Sequence, residues 1–308
     1  MSSLRSWFKA TQPHSFVASL VGVTLGTAIA WHESRTFDAI GFLLTAIGVV
    51  LLHAATNMSN DSIDFRRGVD DLPPHLVSPF TGGARVLPDR AVPFEAHRRM
   101  WIALYGAGGL IGLILSLTRP NGWILLALGG IGGAMGIFYT LPPFALQYHG
   151  IGEIAVAIIF GPIVVLGSYA VQRGALGWEP FLASLPLGLL VAAFLLVNEM
   201  PEHVTDPRGG KRTIPARIGL EKSVRLYEIL VGSALVLLAV LAVLRLISWV
   251  ALIGVVALIP LARARNVLRA HYREYPAHIP ANAGTIQAVL LLGVSMTLAY
   301  LISGAANL

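Results

Sequence analysis

Long apolar runs alternate with short polar connections along this chain. Nine runs stand out: residues 14–32, 37–60, 100–117, 122–140, 152–171, 178–199, 223–244, 246–262 and 281–303. A helix needs about 20 apolar residues to cross a hydrocarbon core of ~30 Å, and each run is near that length. The runs do not alternate apolar with polar residues, and a membrane strand takes only ~10 residues, so the pattern predicts helices. The expected fold is all-α, one polytopic domain over residues 1–308 with about nine transmembrane helices around a central cavity. Runs two and six differ from the others because their C-terminal ends pass into polar residues. The long connections 61–99 and 200–222 follow these two runs and are expected to cap the site.

Composition agrees with the pattern. Hydrophobic residues make up 55% of the 308 residues and charged residues 12%, about half the ~25% of a soluble domain. So few charges cannot cover a soluble surface, and so much apolar side chain excludes disorder. The apolar stretch after Pro13 continues to Ala30, too long for the core of a cleavable signal. Cysteine is absent, which excludes disulfides, thiolate metal sites and a cysteine nucleophile.

The net charge of +6 reads as topology, with no nucleic-acid partner. With the N-terminus inside, only Arg35, Arg119, Arg173 and Arg245 lie outside, and the other eighteen of 22 basic residues lie inside. That asymmetry predicts an N-in, C-out protein in the cell (inner) membrane with its site facing the cytoplasm.

Two acidic clusters carry the candidate chemistry. Run two ends in Asn57, Asn60, Asp61, Asp64, Arg66, Arg67 and Asp70; run six ends in Asn198, Glu199, Glu202, Asp206, Lys211 and Arg212. Each opens with an Asn four residues before an acid. At ~100° per residue Asn57, Asp61 and Asp64 share a helical face, and Asn198, Glu202 and Asp206 share one more loosely. Carboxylates on two facing helices suit Mg²⁺, which bridges protein oxygens to substrate phosphates. Asp61, Asp64, Glu202 and Asp206 are the expected metal ligands. Asn57, Asn60, Asp70, Asn198, Glu199, Arg66, Arg67, Lys211 and Arg212 are the expected substrate contacts, the cations holding the remaining phosphate oxygens. The 141-residue spacing of Asn57 and Asn198 also hints at an internal repeat.

Other candidates have two readings each. His53, one turn before Asn57, either meets an aromatic acceptor as hydrogen-bond partner or base, or is a packed intramembrane histidine. Tyr139 either lines a cation site or belongs to an interfacial aromatic belt. Glu153 reads as an acid favoured at a helix N-terminus. Gly129-Gly130-x-Gly132-Gly133 reads as close helix packing.

At these residues the chain resembles the UbiA-type intramembrane prenyltransferases. Asn60-Asp61-x-x-Asp64-x-x-x-Gly68-x-Asp70 looks like the first motif of the 1,4-dihydroxy-2-naphthoate polyprenyltransferase branch. Thr81-Gly82-Gly83 with Val86-Leu87-Pro88, Tyr139-Thr140-x-Pro142-Pro143, Gly150-Ile151-Gly152-Glu153 and Phe160-Gly161-Pro162 are similar to segments of that branch. Gly210-Lys211-Arg212-Thr213-Ile214-Pro215-x-Arg217-x-Gly219 matches the tail of its second motif.

The resemblance implies Mg²⁺-dependent transfer of a polyprenyl group from its diphosphate to an aromatic acceptor such as 1,4-dihydroxy-2-naphthoate, in quinone biosynthesis. Asp61, Asp64, Glu202, Asp206, His53 and Tyr139 would form the catalytic set. Four positions depart from the family pattern. Gln12 stands where an Arg is frequent, Gln147 and His149 where Lys and Arg are usual, and Glu202 where Asp opens the second motif. Prenylation of a hydroxybenzoate, lipid binding without turnover, and transport stay open as alternatives. Acids clustered at one membrane face rather than the midplane argue against transport.

Overall fold

The computed structural model describes residues 3–69, 80 and 83–306. Asp70 therefore lies outside the described residues, as do Thr81 and Gly82. Among the described residues every regular element is helical. A short helix α1 (Leu4–Ala10) precedes α2 (Phe16–Ser34), α3 (Ala39–Arg67), α4 (Phe94–Thr118) and α5 (Gly122–Ile137). Then follow α6 (Gly152–Ile158), α7 (Val164–Arg173), α8 (Trp178–Glu199), α9 (Ile214–Ile218), α10 (Leu220–Val243), α11 (Leu258–His271) and α12 (Ile279–Ala306).

Among the described residues eight segments are long and apolar enough to cross a membrane, and α5 is a shorter apolar helix. The protein is thus a multi-pass membrane protein. One span joins α6 and α7 through Gly161 and Pro162, where the backbone leaves helical geometry (φ −85°, ψ −106° at Gly161). Pro162 has no N–H to donate and its ring crowds the preceding turn, which accounts for the break. The seventh of these eight joins the 3₁₀ segment Trp249–Ala257 to α11.

Helix α8 is the most buried span and α4 among the least. Around α8 the core gathers Leu187, Leu190 and Val191 with Leu25 and Ile29 of α2 and Leu292 and Met296 of α12. Close crossings use small residues, as in lipid, where backbone approach replaces hydrophobic driving force. A Cβ on Gly26 would sit 2.2 Å from the Val165 carbonyl oxygen, so α2 and α7 touch at that glycine. Leu110, Leu113, Leu117, Ile229 and Val236 are exposed and face where lipid belongs.

The local sequence explains why α3 reaches so far. Asp38 caps its start by accepting from Gly41 N at 2.9 Å. Gly68 at φ +71° ends it in a left-handed cap, and Arg66 and Arg67 complement the dipole in the last turn. The helix therefore carries Asn57, Asp61 and Asp64 together, as the spacing predicts. The second motif differs from expectation. Helix α8 stops at Glu199, Glu202 closes a 3₁₀ turn (Met200–Glu202), and Asp206 opens another (Asp206–Gly209). Pro201 and Pro207 cannot donate to a continuing α-helix, so Asn198, Glu202 and Asp206 do not share one helical face.

Candidate active site

Both acidic motifs lie at one end of the bundle, and each carboxylate has its own partners. Asp61 is buried on α3. Its Oδ1 accepts from Gln12 Nε2 at 2.9 Å and its Oδ2 from the backbone N–H of Ala84 at 3.2 Å. The loop bringing Ala84 there passes through Gly83 at φ +59°, where a Cβ would lie 2.2 Å from Asp61 Oδ1. Only glycine accommodates both that backbone and that approach. Ser62, next along α3, accepts from Trp101 Nε1 at 3.2 Å and pairs with His97 Nδ1 at 3.0 Å, fixing α3 against α4 beside the acids.

Asp64 joins three chain segments. Its Oδ1 accepts from Tyr148 Oη at 2.5 Å, and its Oδ2 from Lys211 Nζ at 2.8 Å and Asn60 Nδ2 at 3.4 Å. Asp206 Oδ2 accepts from Thr213 Oγ1 at 2.9 Å. Asp206 Oδ1 lies 3.8 Å from Lys211 Nζ, is buried and has no hydrogen-bond partner. Lys211 thus stands between an acid of each motif. Burial by itself would lower the Lys211 ammonium. The carboxylates of Asp64, Asp206, Glu202 and Glu199, in that order, reverse the effect and hold it well above the ordinary lysine value. Burial pushes the Asp206 carboxyl upward, against the pull of Lys211 and Thr213. Glu202 is half-buried beside them.

A second polar layer lies under this one. Gln147 Oε1 accepts from Asn60 Nδ2 at 2.8 Å, and Gln147 Nε2 donates to Glu199 Oε1 at 3.1 Å. Asn60 also donates to Thr140 Oγ1 at 3.1 Å. Asn198 Oδ1 accepts from Asn282 Nδ2 at 2.8 Å. Gln147 therefore bridges the two motifs rather than presenting a phosphate contact.

The remaining expected residues divide. Arg66, Arg67 and Arg212 are exposed at the rim; Arg66 lies 4.5 Å over the Phe94 ring and Arg67 4.2 Å over the Tyr148 ring. Lys211, expected with them, is buried in the ion pair instead. Asn57 Nδ2 donates to Thr11 O at 3.1 Å and Ser15 Oγ at 3.0 Å. His53 pairs with Ser15 Oγ at 3.2 Å and Ser19 Oγ at 2.8 Å through its two ring nitrogens, and packs 4.7 Å from the Phe160 ring. Both readings of His53 keep support, since it is hydrogen-bonded and also lines the cavity.

That cavity, about 260 Å³, is lined mostly by apolar side chains and glycines. Asn57, Asn198, His53 and Tyr139 line it towards the acids, and Leu44, Leu115 and Leu125 towards the other membrane face. Leu44 and Asn57 are thirteen residues apart on α3, so the slot runs about 20 Å along the helix.

Sequence reasoning missed Tyr148, Thr213 and Asn282. Tyr148 reaches Asp64 across 84 residues, a pairing no local period encodes.

The donor set can be tested against Mg²⁺. Among the described residues no three His or acidic side chains are clustered tightly enough to form a ready cation site. Yet Asp64 and Asp206 converge on one point, now filled by Lys211 Nζ, and Asp206 Oδ1 is an unpartnered buried oxygen aimed at it. Hard oxygen donors from two motifs and a free lone pair fit a divalent cation.

A bundle of membrane-length helices with two acidic motifs gathered at one end, beside an apolar slot, defines a polytopic membrane protein with a polar cluster next to an apolar cavity. Known proteins narrow the class. The sequence profile of the UbiA prenyltransferase family matches residues 19–282. The 1,4-dihydroxy-2-naphthoate octaprenyltransferase of Bacillus subtilis is 30% identical over 71% of this chain and 68% of its own. The UbiA prenyltransferase domain-containing protein 1 of Xenopus tropicalis is 32% identical over 76% of this chain, which spans 65% of that relative's length. The structure of a UbiA homologue from Archaeoglobus fulgidus bound to GPP and Mg²⁺ superposes with a TM-score of 0.69 at 12% identity, covering 97% of this chain and 99% of that one. The chain belongs to the UbiA prenyltransferase family, and its enzyme class is that of a prenyltransferase.

Proposed function

We propose that this protein transfers a polyprenyl group from its diphosphate to an aromatic acceptor of the 1,4-dihydroxy-2-naphthoate type, as one domain over residues 1–308. One observation carries the reading: Asp64 and Asp206, from separate motifs, converge at the mouth of a slot shaped for an apolar chain. The naphthoate relative and the GPP- and Mg²⁺-bound homologue support it.

Asp61, Asp64, Glu202 and Asp206 would hold Mg²⁺, which supplies charge neutralisation to the diphosphate leaving group when bound. The other work falls to this chain's own residues. Arg66, Arg67 and Arg212 draw the diphosphate to the rim. Leu44, Leu52, Ile111 and Leu128 sheathe the prenyl chain and exclude water that would quench an allylic cation. Tyr105, Tyr139, Phe160 and Phe194 offer aromatic rings to its positive charge. In the N-in orientation the site opens to the cytoplasmic side of the cell membrane. The decisive experiment gives purified protein Mg²⁺, a prenyl diphosphate and dihydroxynaphthoate, and reads prenylated ring by mass spectrometry. No product with naphthoate or hydroxybenzoate acceptors, beside a working relative, would sink the proposal.

One observation favours a second reading, isoprenoid binding without turnover. Gln147 is committed to Asn60 and Glu199, His149 Nδ1 lies 2.9 Å from the Phe144 carbonyl oxygen, and loop 141–151 has neither Lys nor Arg to offer the diphosphate. Tight diphosphate binding with no product from any acceptor would select it.

A further inference from the structure

A groove of about 650 Å³ lies between the start of α10 and the end of α11 and takes no part in the reading above. Lys222 and Arg225 line it from α10, and Tyr272 and Arg273 from the turn that follows α11. His203, next to Glu202, lines it as well, so the groove lies at the same end of the bundle as the acidic motifs. It shares no lining residue with the cavity of the candidate active site.

The charges of the groove are unbalanced. Arg225 Nη2 reaches the Glu221 carboxylate, one turn earlier, at 2.6 Å. Arg265 Nε and Arg269 Nη2 donate to Glu228 at 2.8 Å and 3.1 Å, contacts that tie α11 to α10 and set the two walls. Lys222 and Arg273 meet no carboxylate among the described residues, and Arg273 instead lies 5.2 Å over the Tyr272 ring. Three cations in the groove, Lys222, Arg225 and Arg273, therefore face one acid, Glu221.

Away from the groove the same face of α10 turns apolar. Lys222, Arg225, Ile229, Ser233, Val236 and Val240 follow one another at steps of three and four, which keeps them within an arc of about 80°. All six are exposed, Ile229 and Val236 at 63% each. At 1.5 Å per residue, Ile229 to Val240 covers about 16 Å, close to one leaflet of a ~30 Å hydrocarbon core. A cationic end therefore leads into an apolar strip as deep as one leaflet. That is the complement of a phospholipid, with its phosphate at the interface and its chain below. Basic pockets between membrane helices bind anionic headgroups, and a tyrosine such as Tyr272 suits headgroup depth. A zwitterionic headgroup would bring its own ammonium to a face that already has excess positive charge.

We propose that this groove binds an anionic phospholipid, with its headgroup phosphate held by Lys222, Arg225 and Arg273 and an acyl chain lying along Ile229, Val236 and Val240. Arginine contributes paired N–H donors to phosphate oxygens, and lysine a point charge. The assignment does not depend on turnover, and its test reads binding alone.

The purified full chain in detergent is titrated with phosphatidylglycerol and with phosphatidylcholine of the same acyl chains, and bound lipid is counted by native mass spectrometry. Phosphatidylglycerol should bind about tenfold or more tightly, given several cations at about fivefold each. Lys222→Gln and Arg273→Gln should each weaken phosphatidylglycerol binding about fivefold and leave phosphatidylcholine binding unchanged. Both side chains are exposed, so neither change disturbs the packed core. Each variant reads the same outcome independently, and one that fails to fold leaves the other to decide. The double variant Arg5→Gln with Lys9→Gln removes two exposed cations of α1 and should leave both affinities unchanged. Equal affinity of the wild type for the two lipids overturns the proposal. A loss in the α1 double variant as large as in Lys222→Gln also overturns it, because the preference would then belong to overall charge. Inorganic phosphate should not displace the lipid. Displacement by phosphate at the lipid's own concentration would assign the groove to a soluble anion and overturn the lipid.

Discussion

Lys211 and Asp64 are 147 residues apart in the chain and meet as a buried ion pair, Nζ to Oδ2 at 2.8 Å. Each side chain is less than 5% exposed. The contact ties the second motif's tail to the end of α3, and Asp206 Oδ1 at 3.8 Å extends it to the second motif itself. A lysine in that position neutralises part of a strongly acidic site before any substrate arrives. It also occupies the point on which the carboxylates converge.

Removing the ammonium should therefore hurt the ligand-free protein first. Lys211→Met leaves Asp64 and Asp206 buried without their cation, and breaking such a pair from one side costs about 3–5 kcal/mol. Unfolding of the purified variant in detergent, without divalent cation, should show a loss of that order. Added Mg²⁺ should restore part of it, because a cation that binds only the folded state stabilises it. A variant as stable as the wild type in the absence of Mg²⁺ would contradict the role given to Lys211.

The acids themselves should matter to turnover far more than the rim. Asp64→Asn and Asp206→Asn should each reduce product formation on the order of 10²–10³-fold, the scale for loss of one preorganised electrostatic group. Chelation of Mg²⁺ should do the same to the wild type. Arg66→Ala, at an exposed stacking contact worth about 0.5–1 kcal/mol, should change KM only a few-fold. Steady-state kinetics on the three variants separates the two effects, and an Arg66 defect as deep as that of Asp64 would reverse the assignment of floor and rim.

How much of this was legible beforehand depends on the range of the contact. The period-3.6 spacing of Asn57, Asp61 and Asp64 needs only one helix, and α3 supplies it. The same logic misled at Asn198, Glu202 and Asp206, because Pro201 and Pro207 end the helix that the spacing assumed. Both prolines were visible, and their missing N–H groups were the signal to use. Lys211 reads as a phosphate contact from composition, yet burial between two acids is a tertiary fact. Gln12 and Gln147, conspicuous only as departures from the family pattern, turn out to be neutral donors to Asp61 and Glu199. No pattern along the chain pairs residues 12 and 61.

Gly83 gives a test of the loop that covers Asp61. A methyl group there would fall 2.2 Å from Asp61 Oδ1 on a backbone at φ +59°. Gly83→Ala should displace Asp61 or the loop, at a cost of order 1–3 kcal/mol in strain. Product formation should fall at least tenfold, while circular dichroism keeps its helical signal, since no helix contains residue 83. Unchanged kinetics would mean that the contact between the loop and Asp61 has no bearing on catalysis.

The slot should set which prenyl chains fit. Gly133 lines the cavity on α5, and a Cβ there meets nothing within 4 Å. A larger side chain can therefore be added without a clash at its base, and Gly133→Leu should project into space that an isoprenoid tail would occupy. In a helix interior the change also removes the backbone-entropy penalty of glycine, about 1 kcal/mol, so the variant should fold at least as well as the wild type. Competition between a short and a long prenyl diphosphate in one reaction should shift towards the short one by tenfold or more, with kcat for the short substrate preserved. That pattern locates the tail along α5. An equal loss for both lengths would place the tail elsewhere and assign the glycines of α5 to helix packing alone.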